Sequence, residues 1–440
     1  MTERNRELFA LIPAALLVTA GFAAVFVQRD DVLTNASLTY GGLFLGLCFV
    51  AHLIVRMTLP HADPYLFPLV ATLACLGLVI LYRLDEDFAR EQAQWFVVGL
   101  IVFAATIISL RKDVRVLERY RYVIATAGIL LLLLPRVPGI GQQVNGAYLG
   151  IGVGPISFQP AELSKIAIVI FLASYLRDTR EVLVQGTHKI LGIPLPPLKH
   201  LGPLLVVWGA AMVLLVFIRD LGSSLMFFGG FLALVYVATN RASYAIIGFG
   251  LFAAGTWFFA RTIGHVQDRV DAWLHPFSDQ LYDAQGGSYQ IAQSIFAQGD
   301  GGLLGRGFGE AIIQLPGGGQ LLPAAHTDLI YAVIVNELGL VGACGVLLVY
   351  LLIIERGFRI ATLATDSFSK LLATGLTAVF ALQVFVIVGG VTRVIPLTGV
   401  TLPFVSYGGS SIVANMVLLA LLLIVSDHAR RERARRGGLV

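Results

Sequence analysis

The sequence predicts an all-α protein that crosses a membrane many times. Of its 440 residues, 57% are hydrophobic and only 13% are charged, and the mean hydropathy is +0.81. Soluble domains carry about a quarter charged residues, so this chain lacks the polar surface that soluble domains of its length need. Helices satisfy their own backbone hydrogen bonds in lipid, and no alternation typical of a membrane β-barrel is visible.

About twelve apolar runs are long enough to span a bilayer, which takes roughly 20 residues per helix. They cover residues 8–28, 39–58, 64–82, 93–110, 120–136, 162–176, 202–218, 221–238, 243–262, 328–354, 370–390 and 408–426. The fifth and sixth runs are short, which predicts tilted or broken helices. The first run is too long for a signal peptide and no cleavage pattern follows it, so we expect a first span there.

Lysine and arginine are distributed unevenly between the two sides. With the N-terminus inside, the inner segments hold roughly 21 of these residues and the outer segments roughly 9, which predicts that both termini are cytoplasmic. The basic tail at 428–440 then either anchors this topology or attracts anionic membrane lipids. The pI near 9.0 follows from topology, so no nucleic-acid partner is expected.

Three irregular segments are predicted to lie together on the outer face. Residues 136–161 are rich in glycine and proline, residues 263–327 form a long extracellular loop, and prolines in 391–407 forbid a continuous helix. Irregular backbone in a membrane protein must be surrounded by protein or water. We therefore expect the functional site at this face.

Charged residues within or beside the spans have two interpretations each. Glu162 and Lys165 share a helix face. They are either a self-neutralising structural pair or part of a polar site that lines a cavity. Arg219 and Asp220 lie between two spans. They form either a solvated ion pair in a surface turn or part of the functional site. Asp328 is either a helix cap or a catalytic base.

Other features favour ordinary structural roles. Glu337 follows Asp328 by nine residues, which places the two on opposite helix faces, so Glu337 is interpreted as structural. The three cysteines, Cys48, Cys75 and Cys344, lie in apolar runs and are interpreted as small buried hydrophobes. The glycine-rich GDGGLLGRGFGE follows no strand and lacks GK[ST], which argues against a phosphate-binding loop. No HExxH or CxxC motif is present.

Six ordered motifs resemble the RodA/FtsW family over roughly residues 64–427. They read QPAELSK, IRDLGSS, RVDAWLHP…D…GGSYQIAQS, GGLLGRGFGE, LPAAHTDLIYAVIVNELGLVG and IPLTGVTLPFVSYGGSS, and the last is most similar to actinobacterial RodA-like members. The resemblance implies a ten-helix core at 63–427, preceded by two extra helices at 1–62 and followed by the basic tail.

The resemblance also implies an activity, namely polymerisation of lipid II into peptidoglycan strands outside the bacterial cytoplasmic membrane, with a class B penicillin-binding protein as partner. Asp328, in the HTD motif, is then the catalytic residue. The substrate-contacting residues implied or suggested by their position are Glu162, Lys165, Arg219, Asp220, Arg269, Tyr289, Gln293, Ser294, His326, Thr327, Ser406 and Tyr407.

In this mechanism Asp328 acts as general base for the acceptor sugar hydroxyl. Lys165, Arg219 and Arg269 are candidates for stabilising the leaving pyrophosphate. A divalent cation, Mg²⁺ or Mn²⁺, could share that task, although no ligand cluster marks a site for it. Two other functions stay open at this point: a lipid II flippase or proton-coupled transporter that uses the intramembrane carboxylates, and a non-catalytic scaffold for a penicillin-binding protein.

Overall fold

The computed structural model of the chain describes most of its length. The described residues are 2–28, 35–144, 147–153, 156–185, 188–190, 193–195, 220–262, 264–282, 287–311 and 321–437, with scattered positions between 202 and 213. The predicted span at 202–218 lies mostly outside these residues, and the predicted substrate residue Arg219 lies outside them altogether.

Helices make up most of the described chain, as the composition predicts. They are α1 (Glu3–Ala10), α2 (Ile12–Gln28), α3 (Asn35–Thr58), α4 (Leu66–Leu84), α5 (Glu86–Leu110), α6 (Val116–Arg119), α7 (Arg121–Leu133), α8 (Pro160–Gln185), α9 (Leu221–Thr239), α10 (Ala242–Thr262), α11 (Gly264–Leu274), α12 (Asp279–Tyr282), α13 (Tyr289–Gly301), α14 (Ile330–Leu363), α15 (Ser367–Val391) and α16 (Gly409–Gly437). A short 3₁₀ helix, Leu134–Arg136, follows α7.

Among the described residues, eight segments are long and apolar enough to cross a membrane. They are Glu3–Val25, Gly41–Thr58, Leu66–Leu84, Glu86–Leu110, Gly222–Thr239, Ile330–Leu363, Ser367–Val391 and Gly409–Arg436. Each overlaps one of the twelve predicted runs. Of the other four runs, α7 has 13 residues, α8 is a long helix that carries two charges near its start, and α10 contains only a shorter apolar stretch. The structure therefore supports a multi-pass helical protein without establishing twelve spans.

The all-α prediction is incomplete, because two small antiparallel sheets interrupt the helices. The first consists of β1 (Gly141–Val144), β2 (Ala147–Val153) and β3 (Ile156–Phe158), and the second of β4 (His188–Ile190) and β5 (Ile193–Leu195). In the register of the first sheet, Val144 pairs with Ala147 and Gly141 with Ile151. Asn and Gly, the pair most typical of hairpin connections, stand between β1 and β2 in the sequence.

Burial shows which helices form the centre of the bundle. In the most apolar stretch of each, 94% of residues are buried in α16 and 83% in α4, against 33% in α5 and 22% in the first span. The central helices are therefore surrounded by protein, while α5 and the first span present most of their surface to lipid. Cys48 and Cys75 are buried as predicted, whereas Cys344 is exposed on α14, where the prediction is wrong.

The two N-terminal spans pack against the core through aromatic contacts. Phe22 of α2 meets Tyr82 of α4 with ring centroids 5.1 Å apart, and Phe44 of α3 meets Phe96 of α5 at 4.4 Å. A methyl group added at Gly21 would lie 2.8 Å from Val79, so the glycine permits the close approach of α2 to α4. The contacts attach the extra helices to the side of the bundle.

A break in α14 orders part of the predicted extracellular loop. Gly339 interrupts the helix with a φ of +66°, a conformation that favours glycine. The Leu340 amide donates to the Gly302 carbonyl at 3.0 Å, and the Gly307 amide donates to the Glu337 carbonyl at 3.1 Å. The loop segment after α13 is thus hydrogen-bonded to the break and is folded against α14.

Candidate active site

The residues before α14 form a polar turn that is not part of the helix. The helix begins at Ile330, and Leu329 precedes it without a side-chain cap. The amides of Thr327 and Leu329 both donate to the Ala324 carbonyl at 3.1 Å. The Thr327 hydroxyl also donates to that carbonyl, at 3.4 Å. The interpretation of Asp328 as a helix cap is therefore wrong, and Thr327 does not cap the helix either.

Asp328 lies on this turn, partly buried at the N-terminal end of α14. A Cβ at Gly399 would lie 3.5 Å from Asp328 Oδ2, so the carboxyl group faces the segment that contains this glycine. Burial raises the pKa of Asp328 from 3.8 to about 6, against the opposing effects of the Arg269 charge and the Thr327 hydroxyl. A carboxyl group with this pKa is mostly ionised at pH 7.5 and is a stronger base than an ordinary aspartate.

Residues 395–408, within the connection between α15 and α16, hold the site together; we call this segment the strap. Arg269 donates to the Thr398 carbonyl at 3.0 Å and, more weakly, to that of Leu397 at 3.4 Å. At the other end, the Ser406 hydroxyl donates to the Thr327 carbonyl at 2.7 Å. The Tyr407 amide donates to the His326 carbonyl at 2.8 Å. The strap therefore connects α11 to the Asp328 turn.

Asp220 fixes the start of α9 beside the strap. Its two carboxylate oxygens accept from the Ser223 amide at 2.9 Å and the Ser223 hydroxyl at 2.6 Å, so the residue is a helix cap. Burial raises the pKa of Asp220, Glu162 adds to that rise, and Arg269 opposes it. A Cβ at Gly222 would lie 2.2 Å from Val400, which shows how closely α9 approaches the strap.

Glu162 and Lys165 form a buried pair that also contacts the strap. Lys165 Nζ lies 2.6 Å from Glu162 Oε2 and 2.6 Å from Gln383 Oε1. The Gln383 amide group donates to the Thr401 carbonyl at 3.0 Å. The pair is thus self-neutralising, as its structural interpretation predicts, and it is also linked to the strap. Both side chains are almost fully buried, with 5% exposure for Glu162 and 2% for Lys165.

His326, which belongs to the Asp328 turn, and Tyr407 lie in an aromatic cluster. The His326 ring stacks on Phe88 with centroids 4.2 Å apart, and Phe88 meets Tyr407 at 5.2 Å. Burial lowers the pKa of His326, which favours the neutral imidazole. The Tyr407 hydroxyl donates to the Glu91 carboxylate. Phe88 and Glu91 were not predicted from the sequence.

The three predicted site residues of the long loop lie on α13 and have other contacts. Gln293 donates to the Tyr282 hydroxyl at 2.7 Å, and Tyr289 packs edge-on against Tyr282 with centroids 5.2 Å apart. Ser294 donates to the Val391 carbonyl at 3.2 Å. Among the described residues, these contacts attach α13 to α12 and to the end of α15, and they do not place the three side chains beside Asp328.

Comparison with known proteins assigns the chain to a family. Residues 63–431 match the FtsW/RodA/SpoVE family model, described as a cell cycle protein. The peptidoglycan glycosyltransferase RodA of Mycobacterium tuberculosis strain H37Rv is 42% identical over 446 residues, which cover 99% of this chain and 93% of that protein. Stage V sporulation protein E of Bacillus subtilis is 30% identical over 85% of this chain and 100% of that protein. The chain belongs to the FtsW/RodA/SpoVE family.

Solved structures of the family share the fold. A chain of the structure described as "Structural coordination of polymerization and crosslinking by a peptidoglycan synthase complex" aligns with a TM-score of 0.66 and 26% identity, over 84% of this chain and 98% of that chain. RodA of Thermus thermophilus aligns with a TM-score of 0.58 and 26% identity, over 83% and 96%. The resemblance to RodA/FtsW proteins is confirmed, and this family member is a multi-pass protein of the bacterial plasma membrane.

The family's ELG motif supplies a structural ion pair, as predicted for Glu337. Its carboxylate Oε1 lies 2.7 Å from Arg83 Nε. Arg83 also donates to the carbonyls of Gly309 and Ala311, at 2.7 and 2.6 Å. These contacts join α4, the loop after α13 and α14, so Glu337 stabilises the frame that carries the Asp328 turn.

The strap also contains two polar residues that were not predicted from the sequence. The hydroxyl groups of Thr398 and Thr401 are buried and have no hydrogen-bond partner among the described residues. Buried hydroxyl groups are normally hydrogen-bonded, so these two are exceptions within the strap. Threonine in a proline-containing, uncharged segment gives no signal of this.

Proposed function

We propose that this family member polymerises lipid II into glycan strands at the outer face of the membrane, with Asp328 as general base for the acceptor hydroxyl. The chain is a peptidoglycan glycosyltransferase, given its family and its 42% identity to mycobacterial RodA over nearly its whole length. The observation that carries the role of Asp328 is its partly buried carboxyl group with a pKa raised to about 6, beside Gly399 of the strap.

The proposed reaction forms one carbon–oxygen bond and breaks another. The acceptor sugar hydroxyl attacks the anomeric carbon of the donor, and the lipid pyrophosphate leaves with the bonding electron pair. Asp328 takes the hydroxyl proton as the new bond forms, which makes the oxygen a competent nucleophile. A positioned base of this kind contributes about 10²–10⁴-fold to the rate.

Arg269 is the better supported of the two described cations for stabilising the leaving pyrophosphate. It acts electrostatically on Asp328 and is held by the Thr398 carbonyl, so its charge lies near the proposed base. Lys165 is neutralised by Glu162 and hydrogen-bonded to Gln383. We assign Lys165 and Glu162 to supporting the strap, and Arg219 stays a candidate from sequence alone.

Sugar contacts are proposed for the aromatic cluster and the strap hydroxyls. Sugar rings commonly pack against aromatic faces, and Phe88, His326 and Tyr407 provide such faces next to the Asp328 turn. The free hydroxyls of Thr398 and Thr401 can bond to sugar or phosphate oxygens. The cluster includes His326 of the Asp328 turn, and the two threonines flank Gly399, which the Asp328 carboxyl group faces.

A divalent cation would depend mainly on the substrate for its ligands. Among the described residues, no group of three or more His, Cys, Asp and Glu side chains is placed to hold a metal ion. Mg²⁺ is commonly held by one or two carboxylates together with substrate phosphates. Such an ion would add positive charge at the pyrophosphate, and the assignment of Asp328 does not depend on it.

A class B penicillin-binding protein is the proposed partner. A chain of a peptidoglycan synthase complex, described as coordinating polymerisation with crosslinking, shares this fold with a TM-score of 0.66. Copurification of the full-length chain with a class B penicillin-binding protein from the same bacterium tests this proposal. Separate elution of the two proteins at micromolar concentration in detergent would argue against a stable complex.

The central test is polymerisation of lipid II by the purified full-length chain, with Asp328→Asn as the variant. Asp300→Asn is the matched control, since Asp300 is an exposed carboxylate with a surface ion pair to Arg306. We expect polymer from the wild type and the control and very little from the variant. Lipid II movement across vesicles without polymer would favour a flippase, and polymer formed only by an added partner would favour a scaffold.

A further inference from the structure

A basic cavity opens at the far end of the bundle from Asp328. It has a volume of about 540 Å³ and lies where α1, residues 61–65 and the C-terminal ends of α14 and α16 meet. Arg359 in its wall lies 20 residues beyond the break at Gly339, roughly 30 Å along the second part of α14. The cavity is therefore separate from the candidate active site. The positive-inside distribution predicts that it faces the cytoplasm.

The lining of this cavity has a large excess of positive charge. Besides His61, its titratable lining residues are Tyr65, one carboxylate and five guanidinium groups. The charged ones are Glu3, Arg6, Arg356, Arg359, Arg430 and Arg433. Positive charges that line one cavity repel each other unless a bound anion neutralises them. This excess is the first observation that indicates a ligand.

Two of the five arginines are already paired with a buried acid. Asp63, which is 1% exposed, accepts from Arg430 at 2.6 Å and from Arg356 at 3.4 Å. Arg356 also lies over the Tyr65 ring, 4.7 Å from its centroid. These two residues form a fixed wall, and removing either would weaken the pairing of a buried carboxylate.

Few carboxylates neutralise the other three arginines. Arg359 and Arg433 are exposed to the cavity, and no carboxylate of the described residues lies within ion-pair distance of either. Arg6 has only Glu3, at 3.8 Å and on the surface. The three guanidinium groups come from three different helices, α14, α16 and α1, so their convergence is a property of the fold.

A neighbouring cavity shows that this imbalance is not general at this end of the bundle. It has a similar volume of about 520 Å³ and also contains four Lys and Arg residues, but it includes three acids, Asp113, Asp366 and Glu432. One of these, Asp366, accepts from the Ser369 amide and caps α15. The second cavity is thus close to neutral, whereas the first places five arginines against Glu3 in its lining and against Asp63 and Glu355 beside it.

We propose that the first cavity binds a phosphate-bearing anion, either the headgroup of an anionic phospholipid or a soluble phosphate compound. Guanidinium groups match phosphate oxygens with paired hydrogen bonds. The ligand would neutralise Arg6, Arg359 and Arg433 together and so tie α1 to α14 and α16. Because the cavity lies far from Asp328, this binding is independent of the proposed glycosyltransfer.

The test compares two double variants of the full-length chain in detergent. Arg359→Gln/Arg433→Gln removes two arginines that have no ion pair to lose. Arg119→Gln/Arg180→Gln removes two exposed arginines that do not line the cavity and is the matched control. Neither pair contacts Asp63 or Asp328. Without added anion, the control should melt like the wild type, and the cavity variant should melt no lower than the wild type, because it loses two repelling charges.

Binding is measured by native mass spectrometry and by the rise in melting temperature, with phosphatidylglycerol as one probe and inorganic pyrophosphate as the other. We expect the cavity variant to bind its probe roughly 30-fold more weakly, from about 1 kcal/mol for each arginine, and the control to bind like the wild type. A response to phosphatidylglycerol alone identifies a lipid headgroup, and a response to pyrophosphate identifies a soluble phosphate compound. No binding by the wild type, or equal weakening in both variants, overturns the proposal.

Discussion

The raised pKa of Asp328 predicts that one substitution abolishes activity and stabilises the fold. Asp328→Asn keeps the size of the side chain and removes the proton acceptor. Loss of a general base should lower the rate of lipid II polymerisation by about 10²–10⁴-fold. The same change removes a carboxylate that the folded protein partly desolvates, so the variant should be harder to unfold at neutral pH.

The size of this stabilisation follows from the pKa. Folding raises the pKa of Asp328 from 3.8 to about 6, and one pKa unit corresponds to about 1.36 kcal/mol. The folded state holds the proton more tightly than the unfolded state. The destabilisation is therefore absent below pH 3.8, grows as the pH rises towards 6 and is constant above it. Asparagine does not titrate, so its advantage should be about 1–2 kcal/mol at pH 5 and about 3 kcal/mol at pH 8.

Two assays check this reasoning on the same preparations. Thermal unfolding of the wild type and of Asp328→Asn is measured at pH 5 and pH 8, and initial polymerisation rates of the wild type are measured between them. The rate should fall about tenfold per pH unit below a midpoint near 6, where the base becomes protonated. Asp300→Asn should leave both properties unchanged. A variant that polymerises normally refutes the base role, and an advantage in stability that is equal at pH 5 and pH 8 refutes the raised pKa.

Three further predictions concern the surroundings of Asp328. Lys165→Gln should lower the free energy of unfolding by about 3–5 kcal/mol, because it leaves Glu162 buried without its partner, and adding Glu162→Gln should recover much of the loss in thermal unfolding. Gly222→Ala should destabilise the fold by about 1–3 kcal/mol and slow polymerisation by displacing Val400 and the strap, whereas Gly250→Ala, which meets open space, should do neither. Arg269→Gln removes a positive charge that lowers the pKa of Asp328, so the acid limb of the rate profile should move above pH 6; an unchanged limb would mean that Arg269 does not act on the base.

The long spans could be predicted from the sequence because sustained apolar length is itself the physical requirement for crossing a bilayer. The run at 370–390 corresponds to α15, Ser367–Val391. Shorter or interrupted elements do not satisfy that requirement alone. The sheet of β1, β2 and β3 was missed because its strands have three to seven residues, and their glycines give no clear alternation.

The members of the candidate site could be predicted to the extent that they carry charge. Glu162, Lys165 and Asp220 stood out because a charge beside a span is costly and needs a partner. Gln383, Thr398 and Thr401 carry no charge, so they could not be distinguished from the many polar residues that bond to their own helix or loop. The strap brings the charged and the uncharged residues together. Its path is set by tertiary contacts such as that between Gly222 and Val400.

Glu337 shows most clearly which part of a site the sequence determines. The spacing argument assumed a helix from Asp328 onwards, but α14 starts at Ile330 and is broken at Gly339. The structural role of Glu337 is nevertheless confirmed, because its partner is Arg83 on α4, more than 250 positions away in the chain. A buried charge requires a partner wherever it lies. The sequence can therefore predict that such a residue is paired, whereas the identity of the partner depends on which helices pack together.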